Sequence, residues 1–282
     1  MTSEANSRRP FDLARFEQLA VSWSGKFRYF PTISSTNAEA RAILRQNTMQ
    51  PLELGLVADE QTAGRGRLGR RWQAPPASSL LCSLALKLSP LPLERAFLYT
   101  ASLALSVRRA AEELEPGTVV QLKWPNDLLR QSKKVGGILA ELENNLGPAR
   151  NESWLVLGFG LNLSLTATDL EEAGLSDKAT NLTSQKLLEP EALLATILGY
   201  FALYRSQLYS NPAQIRQEWA AALATLGQKV QVLDFNGKVQ VVGKAWGTGE
   251  DGALLVRASD GSEQRIQAGD VSIRLADGRY SL

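Results

Sequence analysis

The 282-residue sequence contains no histidine. That absence excludes Ser-His-Asp and Cys-His nucleophile systems and every histidine-ligated zinc centre. A single cysteine, Cys82, rules out a disulfide framework, and its place in the apolar run LLCSLALKL is that of a small hydrophobe. Proton transfer therefore falls to carboxylates, lysines or the substrates themselves. No apolar run approaches the roughly 20 residues that span a bilayer. The N-terminal stretch MTSEANSRRPFDLARFEQ has no signal-type apolar segment, so a cytoplasmic protein without membrane association is expected. No G-x-x-x-x-G-K-S/T phosphate loop, repeat or low-complexity tract occurs.

Acidic residues are missing from one long stretch. Between Gln61 and Leu93 there is no Asp or Glu, while Arg65, Arg67, Arg70, Arg71 and Lys87 all fall there. The net charge of +2 says little about partners, but this local field suits an anionic ligand. Arginines on a solvated loop have the same composition.

What is present fits an α+β fold able to bury a core, since 44% of residues are hydrophobic and 21% charged. A polar tail and a helix near Phe11–Val21 occupy residues 1–25, and a strand is expected at Phe27–Phe30. Ser34-Ser35-Thr36-Asn37 then precede the helical AEARAILRQ. These side chains are good N-caps, and a helix N-terminus also attracts anions. Strands are expected at Leu54–Ala58, Leu80–Leu88, Val119–Trp124, Asp127–Arg130, Val135–Glu143 and Trp154–Leu163. Helices are expected at Leu93–Leu114, Pro190–Tyr209 and Pro212–Leu223. Hairpins outnumber βαβ units, which predicts a mixed, mainly antiparallel sheet with helices on one face over residues 26–225. After Leu226, glycines at 227, 237, 243, 247, 249, 252, 261 and 269 punctuate short apolar runs. Residues 226–282 are therefore expected to form a small all-β barrel or sandwich.

Three motifs carry chemistry. Gly64-Arg65-Gly66-Arg67-Leu68-Gly69-Arg70-Arg71-Trp72 satisfies G-x-G-x-x-G as a pattern, but RRWQAPPASS follows instead of a helix, and no acid appears before Glu94. It is not a dinucleotide fingerprint. It offers four guanidiniums on a glycine-loosened backbone, each able to bind phosphate or carboxylate bidentately. Such a loop repels itself when empty, so it is expected to be mobile until an anion fills it. Lys123-Trp124-Pro125-Asn126-Asp127 ends a strand, because Pro125 cannot continue a central ladder. Lys134 follows beside Gly136-Gly137. A surface ion pair and a solvated turn lysine are the plain readings of these residues, but a lysine beside Gly-Gly, where side chains near a ligand are absent, points further towards a site. Gly158-Phe159-Gly160-Leu161-Asn162-Leu163 closes an apolar strand; its small residues serve packing, and Asn162 at the exit can also hold a base edge.

Taken in order, GRGRLGRRW, KWPNDLL…KKVGGILAEL and GFGLNL, with SSTN and DEQTAGRGR ahead of them, resemble the biotin–protein ligase family, also called biotin–acetyl-CoA-carboxylase ligases. The resemblance covers roughly residues 30–275, including the small SH3-like C-terminal barrel typical of the family. It implies two steps with ATP and biotin as substrates and Mg²⁺ as the ion. Biotin's carboxylate attacks the α-phosphate to give biotinyl-5′-AMP, and a lysine of a carboxyl carrier domain then displaces AMP.

The resemblance also implies roles. Ser35, Thr36, Asn37 and Gln61 hold biotin's ureido ring and its surroundings, and Gly64, Arg65, Gly66 and Arg67 close over biotin and the reacting phosphate. Arg67, Arg70 and Lys123 face the phosphates, Lys134 the carboxylate, and the backbone of Gly137 approaches biotin. Trp72, Asn126 and Asn162 belong to the nucleotide side. Asp127 positions Mg²⁺ or orients the acceptor lysine. Some relatives begin with a helix-turn-helix domain; about 34 residues precede Ser35 here, so a ligase without specific DNA binding is expected, as monomer or homodimer. Ser164–Leu182 holds no aromatic residue to cover the adenine. A lipoate–protein ligase is the nearest alternative, and an RNA-binding module a remote one.

Overall fold

A computed structural model describes residues 8–46, 53–88, 96–146, 152–183, 187–234, 236–268 and 272–275. The start of the tail, the start of the helix expected from Leu93, Gly269 and the last residues of the 226–282 segment lie outside the described residues.

Helix α1 (Leu13–Leu19) is capped by Asp12, whose carboxylate accepts from Arg15 N at 3.0 Å. Strand β1 (Phe27–Ile33) runs parallel to β2 (Glu53–Gln61), and a parallel pair needs a crossover. Helix α2 (Thr36–Arg45) is that crossover. Strand β3 (Ser79–Lys87) and helix α3 (Phe97–Leu114) follow, then the short strands β4 (Gln121–Lys123) and β5 (Asp127–Arg130). The long strands β6 (Lys133–Leu146) and β7 (Glu152–Asn162) precede α4 (Ala167–Glu172), α5 (Pro190–Ser210) and α6 (Pro212–Ala222). The seven strands order as β1-β2-β3-β7-β6-β5-β4, antiparallel except for β1–β2.

Alternation along the central strands separates two apolar layers. Leu80, Cys82, Leu84 and Leu86 of β3, with Leu155, Leu157, Phe159 and Leu161 of β7, pack with α1, α3 and α5. Ala85, Val156 and Trp154 face the other way, against Ala40, Ile43 and Leu44 of α2. The expected helical layer over one face is thus present, but α2 lies on the opposite face. The crossover between parallel strands puts it there, and it covers only part of that face. The open remainder is where the predicted site residues gather.

Strands β8 (Lys229–Leu233), β9 (Val239–Thr248), β10 (Leu254–Ala258), β11 (Glu263–Ile266) and β12 (Ser272–Leu275) form a second, antiparallel sheet ordered β11-β10-β9-β8-β12. The chain leading to it runs along β4: Ala224 N donates to Leu122 O at 2.8 Å, and Trp124 N to Thr225 Oγ1 at 3.0 Å. The indole N–H of Trp124 donates to Gly252 O at 2.9 Å. Near the N-terminus Arg9 makes a two-pronged pair with the fully buried Glu191, at 2.6 and 2.5 Å. Among the described residues no helix is long and apolar enough to cross a membrane.

Candidate active site

The site is floored by glycine. On the open face, β3 and β7 pair Ser83 with Gly158, and β7 and β6 pair Gly160 with Gly137. A Cβ at Gly158 would fall 2.1 Å from Asn37 Oδ1, and one at Gly160 would fall 2.6 Å from the Trp72 ring. Side chains there would fill the trough, so the small residues of GFG and VGG are required by close approach rather than by sheet packing alone.

One wall is the first turn of α2. Ser35 is its N-cap, accepting from Ala38 N at 3.4 Å, so the simple capping role holds for this residue. Thr36 and Asn37 are buried and turned onto the sheet. Thr36 N donates to Gln61 Oε1 at 2.8 Å, Ser83 Oγ donates to Asn37 Oδ1 at 2.6 Å, and Asn37 Nδ2 donates to Glu141 Oε2 at 2.8 Å. An amide held at both ends has its orientation fixed. Ser83 and Glu141 were not anticipated from the sequence. A hydroxyl inside the apolar run of β3 is the only signal for the first, and nothing in the local sequence marks Glu141.

The roof is the arginine segment, a tight hairpin rather than an irregular loop. Trp72 N donates to Gly64 O at 2.9 Å and Gly66 N to Arg70 O at 2.6 Å, around a turn at residues 67–69. Gly64 is needed because a Cβ there would meet Trp72 O at 2.5 Å. Leu68 takes the left-handed region (φ 57°), which disfavours a branched side chain. Arg65 pairs with Glu141 at 3.2 Å, and Arg67 reaches Asn126 Oδ1 at 3.4 Å and the carbonyl of Ala268. The Trp72 ring lies against the trough, 5.5 Å from Lys134 Nζ, and its buried indole N–H has no partner among the described residues.

The far end is cationic around one carboxylate. Lys134 Nζ lies 2.5 Å from Asp127 Oδ1, across the β5–β6 hairpin. Lys123 is buried, 6% exposed. Burial pushes its pKa down to about 7; Asp127 opposes this, while Arg274, Lys134 and Arg70 add to it. Asn126 staples the turn, donating to Ile138 O at 2.8 Å. Ile273 and Arg274 of β12 complete the wall, and no motif in the sequence pointed to them.

These groups line one cavity of about 150 Å³. Of the residues singled out in the sequence, all line it except Gly64 and Asn162. Gly64 acts on the hairpin's shape. Asn162, at the exit of β7, donates to Thr180 O at 3.1 Å and braces the segment after the strand. Among the described residues no three carboxylate or thiol groups converge as a metal site.

A glycine trough for a neutral body, leading to a cluster of cations, suits the joining of a carboxylate to a polyphosphate. The chain compares accordingly with known proteins. Residues 29–149 match the Biotin/lipoate A/B protein ligase family and residues 225–274 the Biotin protein ligase C terminal domain. The biotin–acetyl-CoA-carboxylase ligase of Paracoccus denitrificans is 32% identical over 241 residues, which cover 84% of this chain and 96% of that one. The bifunctional ligase/repressor BirA of Bacillus subtilis is 29% identical over 248 residues, 87% of this chain and 73% of the relative. A biotin protein ligase of Aquifex aeolicus, solved in complex with biotin and ATP, superposes with a TM-score of 0.71 at 27% identity, over 89% of this chain and 100% of the other. The chain belongs to the biotin–protein ligase family.

Proposed function

We propose that this pocket joins the carboxylate of biotin to the α-phosphate of ATP, releasing pyrophosphate. It then presents biotinyl-5′-AMP to a lysine amine of a carboxyl carrier domain, which takes the biotinyl group and releases AMP. The observation that carries the reading is the run of Lys123, Lys134, Arg67, Arg70 and Arg274 at the end of a glycine trough. A carboxylate approaching a triphosphate brings like charges together, and cations held in place beforehand offset that repulsion.

Within this reading, Thr36, Asn37 and Gln61 face the ring system of biotin, Ser35 fixes the helix start beside them, and Gly137 lets the ligand approach the backbone. Arg65, Gly66 and Arg67 close from above, with Gly64 shaping the hairpin. Lys134 takes the carboxylate, while Arg67, Arg70, Lys123 and Arg274 take the phosphates. Trp72, with its orphan N–H, lies on the nucleotide side, and Asn126 holds the turn there. Asn162 is left out of the nucleotide site. Among the described residues Asp127 is the one carboxylate lining the cavity, so it would be the residue to hold a Mg²⁺ ion arriving with ATP. Asp127 is also the nearest group to receive a proton from the acceptor amine. The proposed division of the chain is a catalytic unit over residues 26–225 followed by the small sheet.

ATP–pyrophosphate exchange tests the reading. Exchange is expected only with biotin, not with lipoate, and is expected to fall in Arg65→Ala and Lys134→Ala. Biotin-independent exchange would overturn it.

A further inference from the structure

Strand β4 is three residues long and lies at the edge of the large sheet, with β5 as its one neighbouring strand among the described residues. So short an edge strand has little to hold it. It nevertheless carries Lys123, placed opposite Asp127 in the ladder. Its outer side is covered by the chain leaving α6. Ala224 N donates to Leu122 O at 2.8 Å, as a neighbouring strand would. At the next position outward the acceptor for Trp124 N is a side chain, the hydroxyl of Thr225, at 3.0 Å. Trp124 is 1% exposed and Thr225 4%, so water cannot replace this bond. A second tie joins the indole N–H of Trp124 to Gly252 O at 2.9 Å, in the turn between β9 and β10. Trp124, the residue after Lys123, is thereby pinned from two points, Thr225 at the entry to the second sheet and Gly252 within it.

We propose that Thr225 is a positioning residue which, through Trp124, sets Lys123 and Asp127 for the nucleotide. The proposal rests on reading the cationic end of the pocket as the ATP site. Losing the hydroxyl leaves a buried N–H without its acceptor and lets the Lys123 peptide shift; the trough walls, on β3, β6, β7 and α2, do not depend on it.

The test is biotin-dependent ATP–pyrophosphate exchange by full-length Thr225→Val, Thr225→Ser and Trp124→Phe, with thermal midpoints measured alongside. Thr225→Val is expected to raise KM for ATP roughly tenfold while KM for biotin stays within about twofold. Thr225→Ser, which keeps the hydroxyl, is expected to restore it. Trp124→Phe, which keeps an aromatic ring but loses the indole donor to Gly252, is expected to reproduce the ATP-selective loss even if Thr225→Val does not fold. An unchanged KM for ATP in Thr225→Val or in Trp124→Phe overturns the proposal. So does an equal rise for both substrates with a lowered midpoint, the mark of a merely structural bond. Absence of biotin-dependent exchange in the unaltered protein would instead overturn the reading of the pocket.

Discussion

Lys134 Nζ and Asp127 Oδ1 stand 2.5 Å apart on facing strands of one hairpin, beside Gly137, where a Cβ would lie 3.3 Å from that nitrogen. The acid and the base are thus held together at the point where the trough meets the cations. In a protein without histidine, we propose this pair as the proton-handling group of the pocket.

Asp127→Asn removes the charge that pairs with Lys134 and the acceptor proposed for the incoming amine's proton. Transfer of biotin from pre-formed biotinyl-5′-AMP to a carrier domain is expected to slow by roughly a hundredfold. Single-turnover transfer from isolated adenylate measures this, and an unaltered rate removes Asp127 from the second step.

Lys123 titrates near neutrality because it is buried, despite Asp127. Polyphosphate binding favours the ammonium form, so ATP affinity is expected to weaken above about pH 7, approaching tenfold per unit. The stability term has the opposite sense. The unfolded chain keeps this proton up to about pH 10.4, so the native state releases it first and stability from this site rises with pH between those values. KM for ATP against pH should flatten in Lys123→Arg, whose charge persists; a profile identical to that of the unaltered protein would exclude Lys123 as the titrating group.

Two glycines separate space from conformation. Asn37, which a Cβ at Gly158 would strike, is fixed by Ser83 and Glu141 and cannot give way. Gly158→Ala is expected to cost about 1–3 kcal/mol and to weaken biotin binding at least tenfold. Gly199, within α5, has nothing within 4 Å of its built Cβ. There the same substitution is expected to stabilise by about 0.4–1 kcal/mol. Thermal melts and biotin titration read both, and equal effects at the two positions would contradict the trough geometry.

Glu191 is fully buried and accepts from both Arg9 and Asp12 N. Burial alone would raise its pKa, yet the bonds from Arg9 and Asp12 bring it below the usual glutamate value. The stability it contributes is therefore present above the unfolded glutamate pKa and disappears as pH falls through the lower folded value. Glu191→Gln is expected to cost about 1–2 kcal/mol at pH 7, less than a wholly buried pair because Arg9 is 38% exposed. The deficit shrinks in acid; a melt difference independent of pH would argue against a charged Glu191.

Much of this was legible in the sequence, for identifiable reasons. Strand periods marked β3, β5 and β7 to within a few residues, and proline and lysine placement marked the turn after Lys123. Whatever needed two distant segments to meet was not. The crossing of α2 to the opposite face follows from β1 and β2 being parallel, which no local pattern announces. Arg274 comes from the second sheet, and Ser83 matters only because Asn37 lands upon it. Local chemistry is written along the chain, whereas contacts across the sheet are written in register.

The cavity draws on residues from Ser35 to Arg274. During synthesis the trough can close once β7 has emerged, yet its last arginine lies in β12, the last strand among the described residues. At roughly 5–20 residues per second, several seconds separate the two events. A growing chain has thus made every residue of the trough before it has made all the cations of the pocket.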